Sequence, residues 1–493
     1  MMGSALIPVR TLKPLLAGFV EVPADADVEI SALVLDSRSV TPGALFLGIR
    51  GDRLDGREYV PEAVQAGAAA VVCDAEWKAP DALAVPCFIV DDLRRKIALI
   101  ANRFYGFPSR LLCIVGLTGT NGKTTCGFLL AQALNHLGRR SAFIGTIGSG
   151  LIEQLEPNHL TTPDAIELQQ TLADFVGRDA NSVCMEVSSH ALSQHRVEGV
   201  EFDVALFTNI SRDHLDYHQD MSAYVNAKLM LFRRTGLNIA VINHDDPHEH
   251  MVSKSIKSAR IWTYGVREGA DIYPLSVDSS FAGLCLRLAT PVGEMKLRTS
   301  LFGQVNVLNI AAVVATLLAL DYHPADIVDA MAGVVAPPGR MESFERERGN
   351  PRVFVDYAHT PVALEGALRS LKAHSSGKIW CVFGCGGERD RGKRSVMGAV
   401  ADRWADEIVL TNDNPRGESP DQIITDIEAG IESHEALRQP DRAKAIYQAI
   451  KNADEDDIVL IAGKGHEQSQ LIGNTLFPFC DREVVTNLLR GNA

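Results

Sequence analysis

Gly116-Leu117-Thr118-Gly119-Thr120-Asn121-Gly122-Lys123-Thr124-Thr125 follows an unbroken apolar run, Leu111 to Leu117. It precedes a segment in which Leu129, Leu130, Ala133, Leu134 and Leu137 share one helical face before Gly138 closes it. A buried strand, a glycine-rich turn and an amphipathic helix in that order form a phosphate-cradling loop. Glycines let backbone N–H groups converge on phosphate oxygens at a helix N-terminus, Lys123 adds a point charge, and a hydroxyl after the lysine can bind Mg²⁺. The strict G-x-x-x-x-G-K-[ST] spacing asks for glycine at 117, which is Leu, and Gly116 stands one position early. A glycine turn without function is the bland alternative, and the strand–loop–helix context argues against it.

Working outward, further apolar runs occur at Ser141 to Ile147, Ser182 to Val187, Val204 to Thr208 and Ile239 to Ile242. Fully buried strands read as unbroken apolar segments, so a parallel central sheet is expected. Before it, short strand-like runs (Ala32 to Leu35, Ala44 to Ile49, Ala69 to Cys73, Cys87 to Val90) alternate with helical stretches up to Gly106-Phe107-Pro108-Ser109. After Pro337-Pro338-Gly339-Arg340 the alternation resumes with Val353 to Asp356, Ile379 to Gly384, Glu407 to Asn412 and Asp457 to Ala462. The expectation is an α/β chain of three domains: 1–108, small; 109–340, a P-loop ATPase-type parallel sheet; and 341–493, doubly wound and Rossmann-like. A length of 493 residues suits that number at about 150 residues per domain.

The charge balance narrows the function. Lys and Arg number 48 against 62 Asp and Glu, a net charge of −14, which speaks against a general nucleic-acid binder, so anionic ligands must be held by local basic clusters. The longest apolar stretch, Ile310 to Leu320, falls far short of the ~20 residues that cross a bilayer. Leu15 to Val20 is too short for a signal-peptide core, and the odd number of scattered cysteines, nine, fits reduced thiols. A cytoplasmic protein without a membrane span is expected.

Polar motifs gather where such sheets bind ligands, beyond the carboxyl ends of strands. Met185-Glu186-Val187-Ser188-Ser189-His190 places a carboxylate that can hold a metal or its water, a solvated strand-end Glu being the alternative. Thr208-Asn209-Ile210-Ser211-Arg212-Asp213-His214-Leu215-Asp216-Tyr217-His218 packs ionisable groups after another strand. Singly, each such His is more often structural, but a shared sheet edge with the phosphate loop favours function. Lys228 has apolar helical neighbours, and such a lysine usually snorkels to water. In the last third, the run Gly384 to Arg394, then Asp413-Asn414-Pro415-Arg416 and Gly463-Lys464-Gly465-His466-Glu467, offer both charges from three strand ends, which suits a zwitterion. A plain turn is the alternative at Asn414-Pro415.

Taken together, the motif order Gly119 to Thr124, Glu186, Asp213 to His218, Lys228, Asn306 to Asn309, Gly339-Arg340 and Asp356 to His359 resembles that of the Mur ligases over the whole chain. Asp413-Asn414-Pro415-Arg416 is similar to the signature of members that add 2,6-diaminopimelate. The resemblance implies an ATP- and Mg²⁺-dependent ligase acting on UDP-N-acetylmuramoyl-L-alanyl-D-glutamate in peptidoglycan synthesis, and a monomer. It implies that Leu35, Ser37, Asp52, Arg53 and Leu54 bind the UDP end, and that Thr161, Thr162, Ser188, Gln194 and Arg196 hold the sugar and peptide. Leu160 replaces an Asn that a related enzyme carries before the Thr pair. ATP would meet Gly119, Thr120, Asn121, Gly122, Lys123, Thr124 and Thr125, with Asn309, Arg340 and Asp356 at adenine, phosphate and ribose. Thr124 and Glu186 would serve one Mg²⁺, and His214 with Lys228, carbamylated by CO₂, the other; Lys123, Lys228 and His214 would be catalytic. Diaminopimelate would meet Arg389, Asp413, Asn414, Pro415, Arg416, Gly463 and Glu467. The competing readings are a lysine-adding or folate polyglutamate ligase, and a P-loop ATPase switch that ligates nothing.

Overall fold

The computed structural model describes residues 8–51, 54–75, 77, 83–280, 282–344, 349–372 and 374–490. Its contacts divide the chain into two compact units, Met1–Trp262 and Thr263–Ala493.

The first unit holds two sheets. Ala32–Val34, Ala44–Gly48, Ala70–Cys73 and Cys87–Ile89 pair in sequence order, all parallel, over a core that includes Leu12, Leu45, Val72 and Ile97. The eight-stranded sheet runs in the order Arg260–Tyr264, Ile239–Asn243, Val204–Phe207, Cys113–Thr118, Ser182–Glu186, Ser141–Gly145, Gly148–Leu151, Gln154–Glu156. Its pairings from Ile239–Asn243 to Ser141–Gly145 are parallel. Cys113–Thr118 lies among them with Ile114, Val115 and Leu117 fully buried, which is why it reads as an apolar run. The sheet is not parallel throughout. The run expected as a strand to Ile147 ends at Gly145, and the chain turns into an antiparallel extension, Gly148–Leu151 and Gln154–Glu156.

Gly116, early for a phosphate loop, has a packing reason: a Cβ there would stand 2.6 Å from the Phe202 ring. The glycine that shapes the loop is Gly119, at φ 150°, where a Cβ would collide with Thr208 Oγ1.

The second unit contains elements that the apolar-run reading passed over. Tyr273–Ser280, Gly283–Thr290 and Gly293–Thr299 form an antiparallel meander; Gly293–Thr299 alternates exposed and buried positions, and Tyr273–Ser280 has no fully buried residue. Gln304–Ala319 follows as a helix, nearly all of it buried, so the longest apolar stretch is a core helix. Among the described residues no helix is long and apolar enough to cross a membrane. The six-stranded sheet runs Glu342–Phe344, Arg352–Asp356, Ile458–Ala462, Ile379–Phe383, Glu407–Leu410, Leu437–Arg438, parallel except for its first pair. Alternate residues of Arg352–Asp356 enter different cores. Phe354 packs with Leu364, Met397 and Ile423 from three helices, and Val353 and Val355 pack with Ile446 and Val485 from two others. Helices therefore cover both faces, as a doubly wound sheet requires.

Candidate active site

In the first unit the loop between Thr118 and Lys123 is held by its neighbours across the sheet edge. Thr120 N–H donates to Asn209 O (2.8 Å), Asn121 N–H to Asn209 Oδ1 (3.0 Å), and Thr208 Oγ1 to Asn121 O (2.7 Å). Gly122 stands in the left-handed region at φ 84° and opens the helix Lys123–His136, which leaves the first-turn N–H groups of Thr124 and Thr125 outside the helical ladder. Lys123 Nζ lies over the loop, donating to Gly119 O (2.8 Å) and Thr120 O (2.9 Å).

Two of the positions expected at metal, Glu186 and Lys228, meet this loop. Thr124 Oγ1 donates to Glu186 Oε1 (2.9 Å), and the same carboxylate accepts from Thr146 N (2.8 Å) and Thr146 Oγ1 (3.2 Å). Lys228 is 2% exposed, so the snorkelling alternative fails; its Nζ donates to Gly119 O (2.7 Å) and lies 4.5 Å from the Tyr224 ring centroid. Burial first, and then the charge of Lys123, pushes Lys228 well below the ordinary lysine pKa, against a smaller opposing pull from Asp213. His214, at φ 52°, also meets this ring, 6.2 Å between centroids and edge-on, with Asp213 at 3.5 Å. Tyr224, whose hydroxyl lies 3.0 Å from Thr120 Oγ1 and is pushed up to about 12 by burial, joins loop, Lys228 and His214. Neither Tyr224 nor Thr146 was singled out in the sequence, because each acts through a contact distant along the chain.

The donor set suits a hard divalent cation on the Thr124–Glu186 side, where a hydroxyl and a carboxylate converge. Lys228 as an amine offers no anionic ligand; as a carbamate it would. Among the described residues no three His, Cys, Asp or Glu side chains gather for a metal, so phosphate oxygens and water would complete any shell.

Beyond Glu186, Thr162 Oγ1 donates to Glu186 O (2.8 Å) and accepts from Ser188 N (3.1 Å), while Arg196 donates to Thr162 O (2.9 Å) and to Gln194 Oε1 (2.9 Å). Thr161 reaches the same group through Thr146 (3.2 Å). The structure therefore gathers all five positions expected at the peptide, and Leu160 is half-exposed beside them. Towards the N-terminus, Leu35 packs on the first core, Ser37 opens a short turn capped by Asp36, and Leu54 is exposed; Asp52 and Arg53 lie outside the described residues.

In the second unit Asn309 donates to Asn306 Oδ1 (2.9 Å) on the helix Gln304–Ala319. The Arg340 guanidinium lies 4.4 Å over the Tyr357 ring, and Asp356 accepts from Met341 N (2.6 Å) and Ala358 N (2.9 Å). Burial raises the Asp356 pKa against the opposing charge of Arg340. His466, 5.1 Å from the Tyr357 ring centroid, is driven down to about 4 by burial and then by Arg340 and Arg482.

The three polar strand ends do converge. Arg416 NH1 donates to Gly387 O (2.9 Å), and among the described residues no carboxylate forms an ion pair with Arg416. Asn414 Nδ2 donates to Glu467 Oε2 (3.0 Å), and Lys464 Nζ, fully buried, donates to both Asn414 Oδ1 (3.1 Å) and Glu467 Oε2 (2.7 Å). Asp413 caps Asn414 N (2.6 Å), and a Cβ at Gly463, φ 116°, would meet Asp413 Oδ2 at 2.8 Å. Pro415 is buried in this loop and Arg389 is exposed on its neighbour. Lys464 lies in the run Gly463 to Glu467, but its burial between two loops leaves no mark in the sequence.

A phosphate loop with a carboxylate at its helix, and a doubly wound sheet whose loops present opposite charges, define a nucleotide-dependent enzyme of the α/β class. Three domain families match in order: the Mur ligase family catalytic domain at residues 29–105, the Mur ligase middle domain at 117–317 and the Mur ligase glutamate ligase domain at 339–465. The chain is 45% identical over 472 residues to the UDP-N-acetylmuramoyl-L-alanyl-D-glutamate–2,6-diaminopimelate ligase of Chromobacterium violaceum, covering 93% of this chain and 94% of that protein. It is 42% identical over 485 residues to the protein of the same name from Geobacillus thermodenitrificans, covering 97% and 98%. A solved structure of a ligase so named superposes with a TM-score of 0.74 at 34% identity over 98% of this chain and 99% of that one. MurF ligase from Thermotoga maritima in complex with ADP shares the fold, with a TM-score of 0.64 at 20% identity over 94% and 97%. The chain belongs to the Mur ligase family.

Proposed function

We propose that this protein joins meso-2,6-diaminopimelate to the D-glutamyl carboxylate of UDP-N-acetylmuramoyl-L-alanyl-D-glutamate, consuming ATP, as a step of peptidoglycan precursor synthesis. The observation that carries the choice of amino acid is the loop Asp413–Arg416: it holds a half-buried arginine that pairs with no described carboxylate, and its Asn414 donates to Glu467, whose charge Lys464 shares. Diaminopimelate carries an ammonium and a carboxylate at its distal end, and those two groups complement Glu467 and Arg416.

In this reading residues 1–108 bind the UDP end, 109–340 bind ATP and 341–493 bind the amino acid, in a cytoplasmic monomer. Lys123 offsets the charge of the γ-phosphoryl group while a substrate carboxylate oxygen attacks its phosphorus and ADP leaves, giving an acyl phosphate. The neutral amine of diaminopimelate then attacks the acyl carbon, a C–N bond forms, inorganic phosphate departs with the C–O bonding pair, and the proton lost from nitrogen ends on that phosphate. Thr162, Ser188 and Arg196 orient the peptide. Mg²⁺, when bound, neutralises charge on the reacting phosphates, with Thr124 and Glu186 fit to hold one ion and His214 and the Lys228 carbamate another. A neutral lysine is the form that adds CO₂, and burial shifts Lys228 towards that form: its lone pair bonds to carbon and one N–H proton is released, leaving an anionic ligand.

The test is product mass after incubation with ATP, Mg²⁺, the UDP-muramoyl dipeptide and equal amounts of lysine and diaminopimelate. The diaminopimelate-extended product is expected alone. A lysine product, or ATP hydrolysis that needs neither acceptor, overturns the reading.

A further inference from the structure

Arg442 and Asp481 form a salt bridge with both side chains fully buried, and neither is among the groups assigned above to a ligand. Arg442 Nε and NH2 donate to the Asp481 carboxylate at 2.7 and 2.8 Å. The remaining reach of the guanidinium is spent on backbone: NH2 donates to Ala462 O (3.0 Å) and NH1 to Asn412 O (3.2 Å). Ala462 is the last residue of the strand Ile458–Ala462 and directly precedes Gly463; Asn412 directly precedes Asp413. These strands are not neighbours, since Ile379–Phe383 pairs between them. One side chain therefore ties together the roots of two loops whose strands do not pair with each other. At their tips the same loops meet through Lys464, Asn414 and Glu467.

A buried ion pair is poor value as a source of stability, because desolvation of both charges offsets their attraction and a well-packed apolar pair does as well. What apolar atoms cannot do is donate to two carbonyls at a set separation. Asp481 keeps the planar fork oriented, and the fork sets where each loop leaves its strand.

We propose that Arg442, oriented by Asp481, is a positioning residue that sets the gap between the Asp413–Arg416 and Gly463–Glu467 loops, and through it the fit of the amino-acid substrate. This rests on the assignment of those loops to diaminopimelate. Arg442 touches no substrate in this scheme; it acts through the backbone on Arg416 and Glu467.

The test uses the full chain with Arg442→Met/Asp481→Leu, which replaces the pair by apolar atoms, and with Arg442→Lys, which keeps the charge but not the fork. The double variant should melt within a few degrees of wild type. Its KM for diaminopimelate should rise about 10- to 100-fold, the scale of a small misplacement of a binding group, while KM for ATP and for the UDP-substrate stays within about twofold. Arg442→Lys should shift the same constant by less. Amide hydrogen exchange at 413–416 and 463–467 should quicken in both variants relative to wild type. Unchanged exchange in these loops, or KM values for all three substrates rising together with a lowered melting temperature, overturns the proposal. Because exchange needs no turnover, faster loops in a protein that does not ligate diaminopimelate would retire the substrate assignment and keep the latch.

Discussion

Removing the Arg416 side chain should cost diaminopimelate and nothing else. Arg416 sits at φ 52°, where any L side chain carries roughly 1 kcal/mol or more of strain, and alanine keeps the same backbone, so that cost cancels between wild type and Arg416→Ala. The lost bond to Gly387 O at 2.9 Å is half exposed and amounts to about 1 kcal/mol of folding stability at most. On the substrate side the loss is larger. A guanidinium meeting a carboxylate through two charge-assisted hydrogen bonds contributes about 1.5–3 kcal/mol per bond; partial exposure brings the pair to about 2–4 kcal/mol, or roughly 30- to 1,000-fold in kcat/KM. The assay is steady-state phosphate release with each substrate varied in turn, run for diaminopimelate and for lysine. The drop should be confined to diaminopimelate, and the preference over lysine should shrink by the same factor, since lysine lacks the carboxylate that Arg416 would bind and presents a cation of like charge. A uniform loss over all three substrates would mean that Arg416 supports the loop alone, and an intact preference would refute the complementarity argument.

Lys123→Ala should fold normally and lose about 100-fold or more in turnover, because its Nζ lies over the loop on two carbonyls and is proposed to offset phosphate charge; near wild-type turnover would sink the phosphate-loop role. Lys228→Ala should be inactive and regain part of its activity with added short carboxylic acids, which can enter the space left beside Tyr224; a wild-type mass free of CO₂ at alkaline pH in bicarbonate would count against the carbamate. His466 makes acid sensitivity measurable. Its folded pKa of about 4 lies below its unfolded 6.5, so the unfolded chain takes up the proton first as pH falls, and stability declines between those values by about 3 kcal/mol at most. Urea melts across that window should show the decline, and His466→Leu should flatten it; an unaltered slope would place the acid response elsewhere.

What could be read from the sequence divides by how far a residue reaches. Phosphate cradling is done by backbone and by side chains within a few positions of each other, so Gly119, Gly122, Lys123 and Thr124 announce themselves in one run, and the strands around them are apolar because both faces are buried. Gly116 misled for a reason of the same kind. It answers to Phe202, 86 positions away, and a glycine needed for packing is spelled like one needed for phosphate. The meander from Tyr273 to Thr299 does not read as buried strand, since Gly293–Thr299 has one wet face and alternates, and Tyr273–Ser280 buries no residue fully. Side chains that organise the site from a distance leave no local trace. Tyr224 meets Thr120 across 104 positions and Arg442 meets Asp481 across 39, and in sequence each is an ordinary helical residue. Within a single chain, then, motifs report the groups proposed to touch ligand, while the groups that decide where those motifs stand are reached only through hydrogen bonds distant along the chain. The latch under the Asp413 and Gly463 loops is of this second kind, and its substitution should change affinity for one substrate with no change in the residues that touch it.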